Sequence, residues 1–352
     1  MNDLDGIRMG IRLDIKDVGV TLGGERILAG ISCTVLPGEL VGLLGPSGAG
    51  KSTLLYAALG LRKPRRGSVL LNGLDLYTHY DQVKFKIGYV PQDDILHRSL
   101  TVEKVLYYTG LLRLPPDRTA EIEPRIRDIL QLLHLTDRRR TRIKRLSGGQ
   151  RKRVNIAIEL MTEPPLLMLD EPTAGLDPAL EESTMELFKK LALSGRTMVV
   201  TTHVMDSVRL FDLVVLLSGG WTVFIGPPGE APAFFGVQSF ADIYSVLSVD
   251  NPMALHNVFT ASEYYRRYVT ARAALPISSF LSTDPRGGTP ASGGVPADTT
   301  EAPKPRPAGQ RIRKDGDTSA AEREVPSKER ILEDIESQLE ELKRRVYGTD
   351  QE

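Results

Sequence analysis

Short apolar runs alternate with helix-like stretches from Met1 to about residue 235, and this alternation predicts an α/β domain. The runs that best fit buried parallel strands are short and bounded by polar or turn residues: Leu40–Leu44, Leu166–Leu169, Met198–Thr201 and Leu213–Leu217. Between residues 100 and 135 the pattern is helical, with a break at Pro115 and Pro116. We therefore expect one domain over residues 1–235, with a sheet core and a helical section.

The pattern changes after residue 235. Residues 236–275 are predicted to form a small helical extension. Residues 276–310 hold seven Pro, five Gly and four large apolar residues, too few to offset the chain entropy, so residues 276–326 are predicted to be a disordered linker. Apolar residues then recur with spacings of 3, 4, 3 and 4, at Leu332, Ile335, Leu339, Leu342 and Val346. This seam predicts an amphipathic helix over residues 327–347, which either docks alone or pairs with itself.

Composition narrows the function classes. The 352 residues carry 45 Lys+Arg and 45 Asp+Glu, so net charge gives no argument for nucleic acid or an anionic membrane as partner. The single cysteine, Cys33, excludes an internal disulfide and favours a reducing compartment. No apolar run reaches 18 residues and no signal-peptide pattern is present, so we expect a chain that does not itself cross a bilayer.

A glycine-rich segment follows the predicted strand Leu40–Leu44. It fits the pattern G-x-x-x-x-G-K-[ST] and consists of Gly45, Pro46, Ser47, Gly48, Ala49, Gly50, Lys51 and Ser52. A helix-like run from Thr53 to Leu61 comes next, so strand, loop and helix stand in the order that a phosphate-binding loop requires. The loop and Thr53 at the helix start are expected to bind phosphates through backbone N–H groups. Lys51 should reach the β- and γ-phosphates, and the Ser52 hydroxyl should ligate Mg²⁺.

Two adjacent acids follow another predicted strand, Leu166–Leu169. Ligands bind at the carboxyl ends of strands in open α/β sheets, so Asp170 and Glu171 are candidates for chemistry. Adjacent residues of a strand point in opposite directions, which predicts different roles for the two side chains. We expect Asp170 to hold Mg²⁺ and Glu171 to polarise the attacking water.

A third segment, Leu146–Gln150, places a Ser-Gly-Gly turn before a helix-like run from Arg151 to Leu160. Its hydroxyl and backbone N–H groups form a second possible anion site, and Ser147 stands 23 residues before Asp170. A simple surface loop is the alternative for this turn taken alone.

In this order the motifs resemble those of the ATP-binding-cassette (ABC) ATPases over residues 11–235. The matching elements are the Walker A loop Gly45–Ser52, the Q-loop Gln92, the signature Leu146–Gln150, Walker B Leu166–Glu171, the D-loop Ala174–Asp177 and the switch histidine His203. The resemblance implies a P-loop cassette with a mixed sheet core, an α-helical subdomain and a small antiparallel β part. It also implies Mg²⁺ held by Ser52, Gln92 and Asp170, with Glu171, His203 and Lys51 as the catalytic residues.

The resemblance further implies that two copies of the cassette bind ATP head to tail. Ser147, Gly149 and Gln150 would then face the nucleotide bound by the partner. One feature departs from the family, because Leu22 occupies the place where an aromatic residue commonly stacks on adenine.

The G subfamily and its bacterial relatives are the part of the family that the chain resembles most. The shared segments are Val90–Asp94, Leu100–Val102, Arg151–Arg153, Ile158–Leu160 and Thr173–Asp177. The resemblance implies ATP-driven export of a lipid or other hydrophobic compound. Because this chain carries no membrane domain, we expect a separately encoded transmembrane permease and a peripheral location on the cytoplasmic face of the cell membrane. The alternative is a non-transport ABC ATPase that regulates a membrane or scaffold protein complex through its C-terminal tail.

Nine of the sixteen residues from Arg138 to Arg153 are basic. Such a patch could contact nucleic acid, but no aromatic residues are interleaved for base stacking and the net charge is zero, so no nucleic-acid partner is expected. We expect a solvated face, near anionic headgroups or the acidic surface of the other cassette.

Overall fold

The structure is a computed structural model that describes residues 10–203, 207–247 and 251–278. All of these residues belong to the first of two units, Met1–Thr283. The predicted helix over residues 327–347, and the predicted linker beyond residue 278, lie outside the described residues.

Ten strands occur in the described part of the chain. They are β1 (Leu13–Leu22), β2 (Glu25–Val35), β3 (Leu40–Leu44), β4 (Arg66–Leu71), β5 (Leu74–Asp75), β6 (Ile87–Val90), β7 (Leu166–Asp170), β8 (Thr197–Thr201), β9 (Leu213–Ser218) and β10 (Trp221–Gly226). The predicted strand Leu40–Leu44 is confirmed residue for residue as β3, and the other three predictions are each confirmed to within one residue.

The helices of the described residues are mostly short. They are α1 (Lys51–Ala58), α2 (Tyr80–Val83), α3 (Val102–Arg113), α4 (Ile122–Leu132), α5 (Gly148–Leu160), α6 (Pro178–Leu193), α7 (Ala231–Phe235), α8 (Phe240–Leu247), α9 (Pro252–Ala261), α10 (Glu263–Tyr265) and α11 (Ala271–Ala273). A π-helical turn, Arg266–Thr270, joins the last two. Within the described ranges, none of the helices is both long and apolar enough to span a bilayer.

The strands form two sheets. The larger has the order β10-β9-β3-β8-β7-β6, in which β10 is antiparallel and the other five strands are parallel. The smaller, with the order β2-β1-β4-β5, is antiparallel. Strands β3, β7 and β8 are buried along their whole length, as apolar strands covered on both faces are. Because they are parallel and adjacent, their carboxyl ends meet at one edge of the sheet.

The predicted helical section lies between β6 and β7. Helix α3 begins after Thr101, whose side chain accepts a hydrogen bond from the backbone N–H of Lys104. It ends before Pro115, at the predicted break. Helix α4 follows, and its buried face carries Ile126 and Leu130. The mixed core sheet, the helical section and the small antiparallel sheet confirm the predicted fold class.

The helices predicted for residues 236–275 are present, and aromatic packing holds them against β10. The ring of Phe224 on β10 lies 5.2 Å from Phe234, 5.5 Å from Tyr264 and 6.2 Å from Phe259, measured between centroids. At the start of the same strand, the Trp221 ring lies 4.7 Å from the ring of His256.

Two guanidinium groups fix the end of this helical extension. Arg12 is buried, pairs with Asp14 at 2.8 Å, and donates to the backbone carbonyls of Ala273, at 3.0 Å, and Leu275. Arg272 pairs with Glu39. Arg12 thereby satisfies carbonyls at and just after the C-terminal end of α11, while Arg272 ties α11 itself to Glu39. The extension therefore packs against the preceding strands as far as residue 275.

Candidate active site

The phosphate loop connects β3 to α1, and three of its glycines occupy positions that disfavour any other residue. Gly48 and Gly50 have positive φ angles of 78° and 98°, which favour glycine. A Cβ on Gly50 would lie 2.6 Å from Cδ2 of Leu28, and a Cβ on Gly45 would collide with the backbone carbonyl of Leu217. The loop is therefore closely fitted against neighbouring strands, with its N–H groups at the start of a helix.

Lys51 lies across this loop. Its ammonium donates to the carbonyl oxygens of Gly45, at 2.8 Å, and Pro46, at 3.0 Å. Burial lowers the pKa of Lys51, although the nearby carboxylates of Glu171 and Asp170 act in the opposite direction. These contacts hold the positive charge over the segment that is expected to receive phosphate. Helix α1 starts at Lys51, two residues before the predicted Thr53.

Asp170 and Ser52 come together although 118 positions separate them. The Ser52 hydroxyl lies 3.4 Å from Oδ1 of Asp170, and the Thr201 hydroxyl donates to the same oxygen at 2.6 Å. Asp170 is only 2% exposed. Thr201, at the end of β8, was not predicted to take part in the site.

These oxygen atoms fit a Mg²⁺ ion in chemical type. Mg²⁺ is usually bound by one or two carboxylates together with substrate phosphates and water. Among the described residues, no group of three or more His, Cys, Asp or Glu side chains could hold a metal by itself. The pair Ser52 and Asp170 therefore suits an ion whose remaining ligands are phosphate oxygens and water.

Two other predicted site residues, Gln92 and His203, approach the carboxylate of Glu171. The side-chain amide of Gln92 donates to Oε2 of Glu171 at 3.2 Å, and Nδ1 of His203 lies 3.6 Å from Oε1. The carboxylate is 21% exposed and the imidazole 56%. The structure thus gathers one amide, one imidazole and one carboxylate at the carboxyl ends of neighbouring strands.

The backbone of Glu171 has an unusual conformation, which the alternation of side chains along a strand did not predict. Strand β7 ends at Asp170, and Glu171 has a φ angle of 46°, in the left-handed region. Its N–H donates to the Thr201 hydroxyl at 2.8 Å. The two acids differ in direction because the chain turns after β7, and strain of this kind is common at functional sites.

Lys152 connects this cluster to α5 and was not predicted to be a site residue. Its ammonium donates to the backbone carbonyls of Gln92, at 2.9 Å, and Glu171, at 3.2 Å. Next to it, Arg151 and Asn155 donate to the carboxylate of Asp94 at 3.1 Å and 2.8 Å. The Q-loop is thereby joined to the helix that follows the signature. The sequence signal was the basic run after the signature, which was used as a family mark and as a charged patch but was given no role in the site.

The residues of the predicted basic patch fall into two groups, those that bind other parts of the fold and those that are exposed. Arg139 pairs with Glu103 and Glu123, and Arg153 donates to the backbone carbonyl of Leu133 at 3.0 Å. With Arg151 and Lys152, four of the nine basic residues are bound within the fold. The remaining five are exposed and are Arg138, Arg140, Arg142, Lys144 and Arg145. The predicted solvated face is thus correct only for these five.

The signature turn is organised locally. Ser147 accepts a hydrogen bond from the backbone N–H of Gln150 at 3.3 Å, and the Gln150 side chain accepts the N–H of Ser147 at 3.1 Å. This capping box explains why α5 begins at Gly148 and not at Arg151. Gly149 fits closely against Leu176 and Leu180. In the described contacts Ser147 and Gln150 bind each other and not the phosphate loop.

Leu22 lies at the end of β1, opposite Glu25, and is 39% exposed. It presents an aliphatic side chain at the place expected for an aromatic residue. Stacking on a base at this position would therefore be weaker than on an aromatic ring.

Comparisons with known proteins identify the family to which the chain is similar. The family model described as ABC transporter matches residues 28–174. An ABC transporter ATP-binding/permease protein of Mycobacterium tuberculosis is 43% identical over 241 residues, 68% of this chain and 28% of the relative. ABC transporter G family member 1 of Petunia hybrida is 38% identical over 247 residues, 66% of this chain and 38% of the relative. The chain spans less than half the length of these two relatives.

Shorter relatives and a solved structure are matched over most of their length. The Nod factor export ATP-binding protein I of Rhizobium meliloti is 35% identical over 227 residues, 64% of this chain and 67% of the relative. The structure of cbiO1 from Clostridium perfringens, part of the ABC transporter complex cbiONQ, has a TM-score of 0.57 and 30% identity, covering 69% of this chain and 95% of that one. This chain therefore belongs to the ABC transporter ATP-binding proteins, a family of ATPases, and within it to the G-like type.

Proposed function

We propose that this chain is the ATP-binding and ATP-hydrolysing subunit of an exporter, and that two copies close on ATP to drive a separately encoded membrane subunit. The observation that supports this most is the presence of two complementary half-sites in one chain. One half is the partly buried cluster of Lys51, Ser52, Asp170 and Glu171. The other is the exposed signature turn at Ser147. A homodimer would form two complete sites.

The residues of the first half divide the work of phosphoryl transfer. Lys51 neutralises charge on the β- and γ-phosphates, and the loop N–H groups surround their oxygens. Mg²⁺, when bound by Ser52, Asp170 and Gln92, supplies further charge stabilisation to the phosphates. Glu171 accepts the proton of the attacking water, the Gln92 amide donates to its carboxylate, and His203 stands beside it. Such transfer depends mainly on positioning and electrostatics.

The export direction and the substrate class rest on the relatives. One is named as a Nod factor export ATP-binding protein and others as G family members. We propose a lipid or another hydrophobic compound as the substrate and the cytoplasmic face of the cell membrane as the location. The substrate cavity would belong to the membrane subunit.

Mixing two inactive variants tests the head-to-tail dimer. The Lys51→Ala variant lacks the ammonium that binds the phosphates. In Ser147→Arg, a large side chain keeps the signature turn away from the nucleotide of the partner. Each variant alone should have almost no ATPase activity. A mixed dimer retains one intact site, formed by the loop of one chain and the signature of the other. An equal mixture should recover roughly a quarter of wild-type activity, since half of the dimers are mixed and each has one of two sites. No recovery after mixing would contradict the arrangement.

Co-purification tests the membrane partner. The Glu171→Gln variant should bind ATP without hydrolysing it, so the closed complex should accumulate. Recovery of a stoichiometric multi-span membrane protein with ATP, and not with the Lys51→Ala control, would support the exporter. Recovery of only the cassette dimer, or of soluble partners, would instead favour an ATPase that regulates a complex through its tail.

A further inference from the structure

The helical extension touches the phosphate loop directly. The hydroxyl of Tyr244, on α8, accepts a hydrogen bond from the backbone N–H of Gly45 at 3.2 Å. Gly45 is the first residue of the loop, and its carbonyl oxygen accepts a hydrogen bond from Lys51. Burial raises the pKa of Tyr244, and the Glu171 carboxylate adds to this effect, so the hydroxyl is neutral at physiological pH. A neutral phenol thus lies where loop, lysine and catalytic carboxylate approach each other.

A second path from the extension reaches the loop through the turn between β9 and β10. Pro252, at the start of α9, packs closely on Gly219. A Cβ added to Gly219 would lie 2.7 Å from Cγ of Pro252. The next residue, Gly220, donates its N–H to the carbonyl oxygen of Ala49 at 3.2 Å. The extension therefore contacts the first residue of the loop and supports the fifth through one intermediate turn.

These contacts involve a part of the chain that the family model, matching residues 28–174, does not include. The extension is itself well anchored, since Ser218 donates to the carbonyl of Leu247 at 3.1 Å and Arg12 holds the carbonyl of Ala273. A hydroxyl on an element anchored in this way can fix the position of the amide that it binds. A freely moving side chain could not do this.

We propose that Tyr244 is a positioning residue for ATP binding, which holds Gly45 and the start of the phosphate loop in the shape that receives phosphate. The extension is then part of the nucleotide site. This inference rests on the proposed nucleotide site, but not on the proposed export or membrane subunit.

The expected effect follows from the strength of one neutral hydrogen bond. Removing only the hydroxyl deprives the Gly45 amide of this acceptor while the aromatic ring still fills its space. The loop should then sample other shapes, and the dissociation constant for ATP should rise about 2–10-fold. Once ATP is bound, its phosphates hold the loop. The KM for ATP should therefore rise by a similar factor, whereas kcat should change little.

The test compares Tyr244→Phe with Tyr268→Phe in the full chain. Tyr268 lies in the same extension and donates to Oε1 of Glu230 at 2.8 Å, so its variant also loses one phenol hydrogen bond. ATP affinity is measured by isothermal titration calorimetry, kcat and KM by phosphate release, and folding by thermal melting. We expect weaker ATP binding in Tyr244→Phe alone, with similar melting temperatures for both variants.

Three results would overturn the inference. One is an unchanged ATP affinity in Tyr244→Phe, and another is an equal loss of affinity in Tyr268→Phe, which would indicate general loosening. The third is a fall in kcat with KM unchanged. The Lys51→Ala variant separates this inference from the nucleotide site itself. If Lys51→Ala loses ATP binding while Tyr244→Phe keeps it, the site stands and only the role of Tyr244 fails.

Discussion

The phosphate-loop side of the site and the signature turn of the same chain are built in opposite ways. On the first side, contacts join residues far apart in sequence, such as Ser52 with Asp170 and Gln92 with Glu171. In the signature turn, Ser147 and Gln150 are three positions apart and bind each other. Long-range contacts give a fixed arrangement that needs the whole fold. A local capping box leaves its outer surface available to a second chain.

Glu171→Gln should produce the largest loss of ATPase activity, and the change affects only the phosphate-loop side of the site. The amide keeps the size of the side chain but cannot take a proton from water, so kcat should fall about 10²–10⁴-fold. ATP affinity should stay within about twofold, because binding depends on Lys51 and the loop. Phosphate release and calorimetry measure the two quantities, with Glu182→Gln on the surface as control. A kcat near wild type would exclude Glu171 as the base.

Lys152→Met should lower ATPase activity less. It removes the hydrogen bonds that join α5, the helix after the signature turn, to the phosphate-loop side. The ammonium holds the carbonyls of Gln92 and Glu171, and hydrogen bonds from charged groups contribute about 1.5–3 kcal/mol. Partial exposure reduces this, so we expect kcat to fall about 3–10-fold with KM for ATP unchanged. Steady-state kinetics measure both, with the exposed Lys190→Met as control and Lys152→Arg as a partial rescue. A change in KM alone would contradict the positioning role.

Leu22→Tyr should strengthen ATP binding on the phosphate-loop side of the site. An aromatic ring at this place can stack on adenine, and such contacts contribute about 0.5–1.5 kcal/mol, so the Kd for ATP should fall about 2–10-fold. Leu193→Tyr, at a site that is 75% exposed, controls for added aromatic surface. Calorimetry with ATP and with inorganic triphosphate separates base from phosphate binding. An equal gain for triphosphate would show that the base is not involved.

Ser147→Ala should give the smallest effect in the isolated chain and should appear in stability. Loss of the cap on α5 should lower the free energy of unfolding by about 1 kcal/mol. ATP binding to the monomer should not change, since Ser147 binds only within its own turn in the described contacts. Denaturant titration measures the loss, with Ser183→Ala on α6 as control. Weaker ATP binding by the monomer would mean that the signature acts in its own chain.

Local patterns in the sequence predicted most of the elements of the fold. Strand β3 matches its prediction fully, because four apolar residues and one glycine before a glycine-rich loop leave few alternatives. Asp170 was found for the same reason, as an acid directly after an apolar strand. Helix starts were less accurate, since the caps of α1 and α5 depend on backbone geometry and reciprocal hydrogen bonds.

Residues that join the site from distant parts of the chain were not predicted. Thr201 reaches Asp170 because β8 and β7 are neighbours, and that pairing is a property of the folded sheet. Lys152 and Tyr244 reach the site from α5 and α8. Tyr244 belongs to no motif, and the basic run that contains Lys152 does not say what its side chain binds, so only the packing of helices against the sheet edge reveals their contacts. The left-handed backbone conformation of Glu171 was not predicted either, since it too is a property of the folded chain.

The packing at the start of β10 gives the molecule a natural optical reporter. Trp221 is the one tryptophan of the sequence, and its indole contacts both the guanidinium of Arg26, at 4.9 Å, and the ring of His256, at 4.7 Å. It follows Gly220, whose amide binds the phosphate loop at Ala49. Indole emission is sensitive to nearby charge and ring stacking. Movements of the loop during ATP turnover could therefore be followed in real time by intrinsic fluorescence, without attaching a dye.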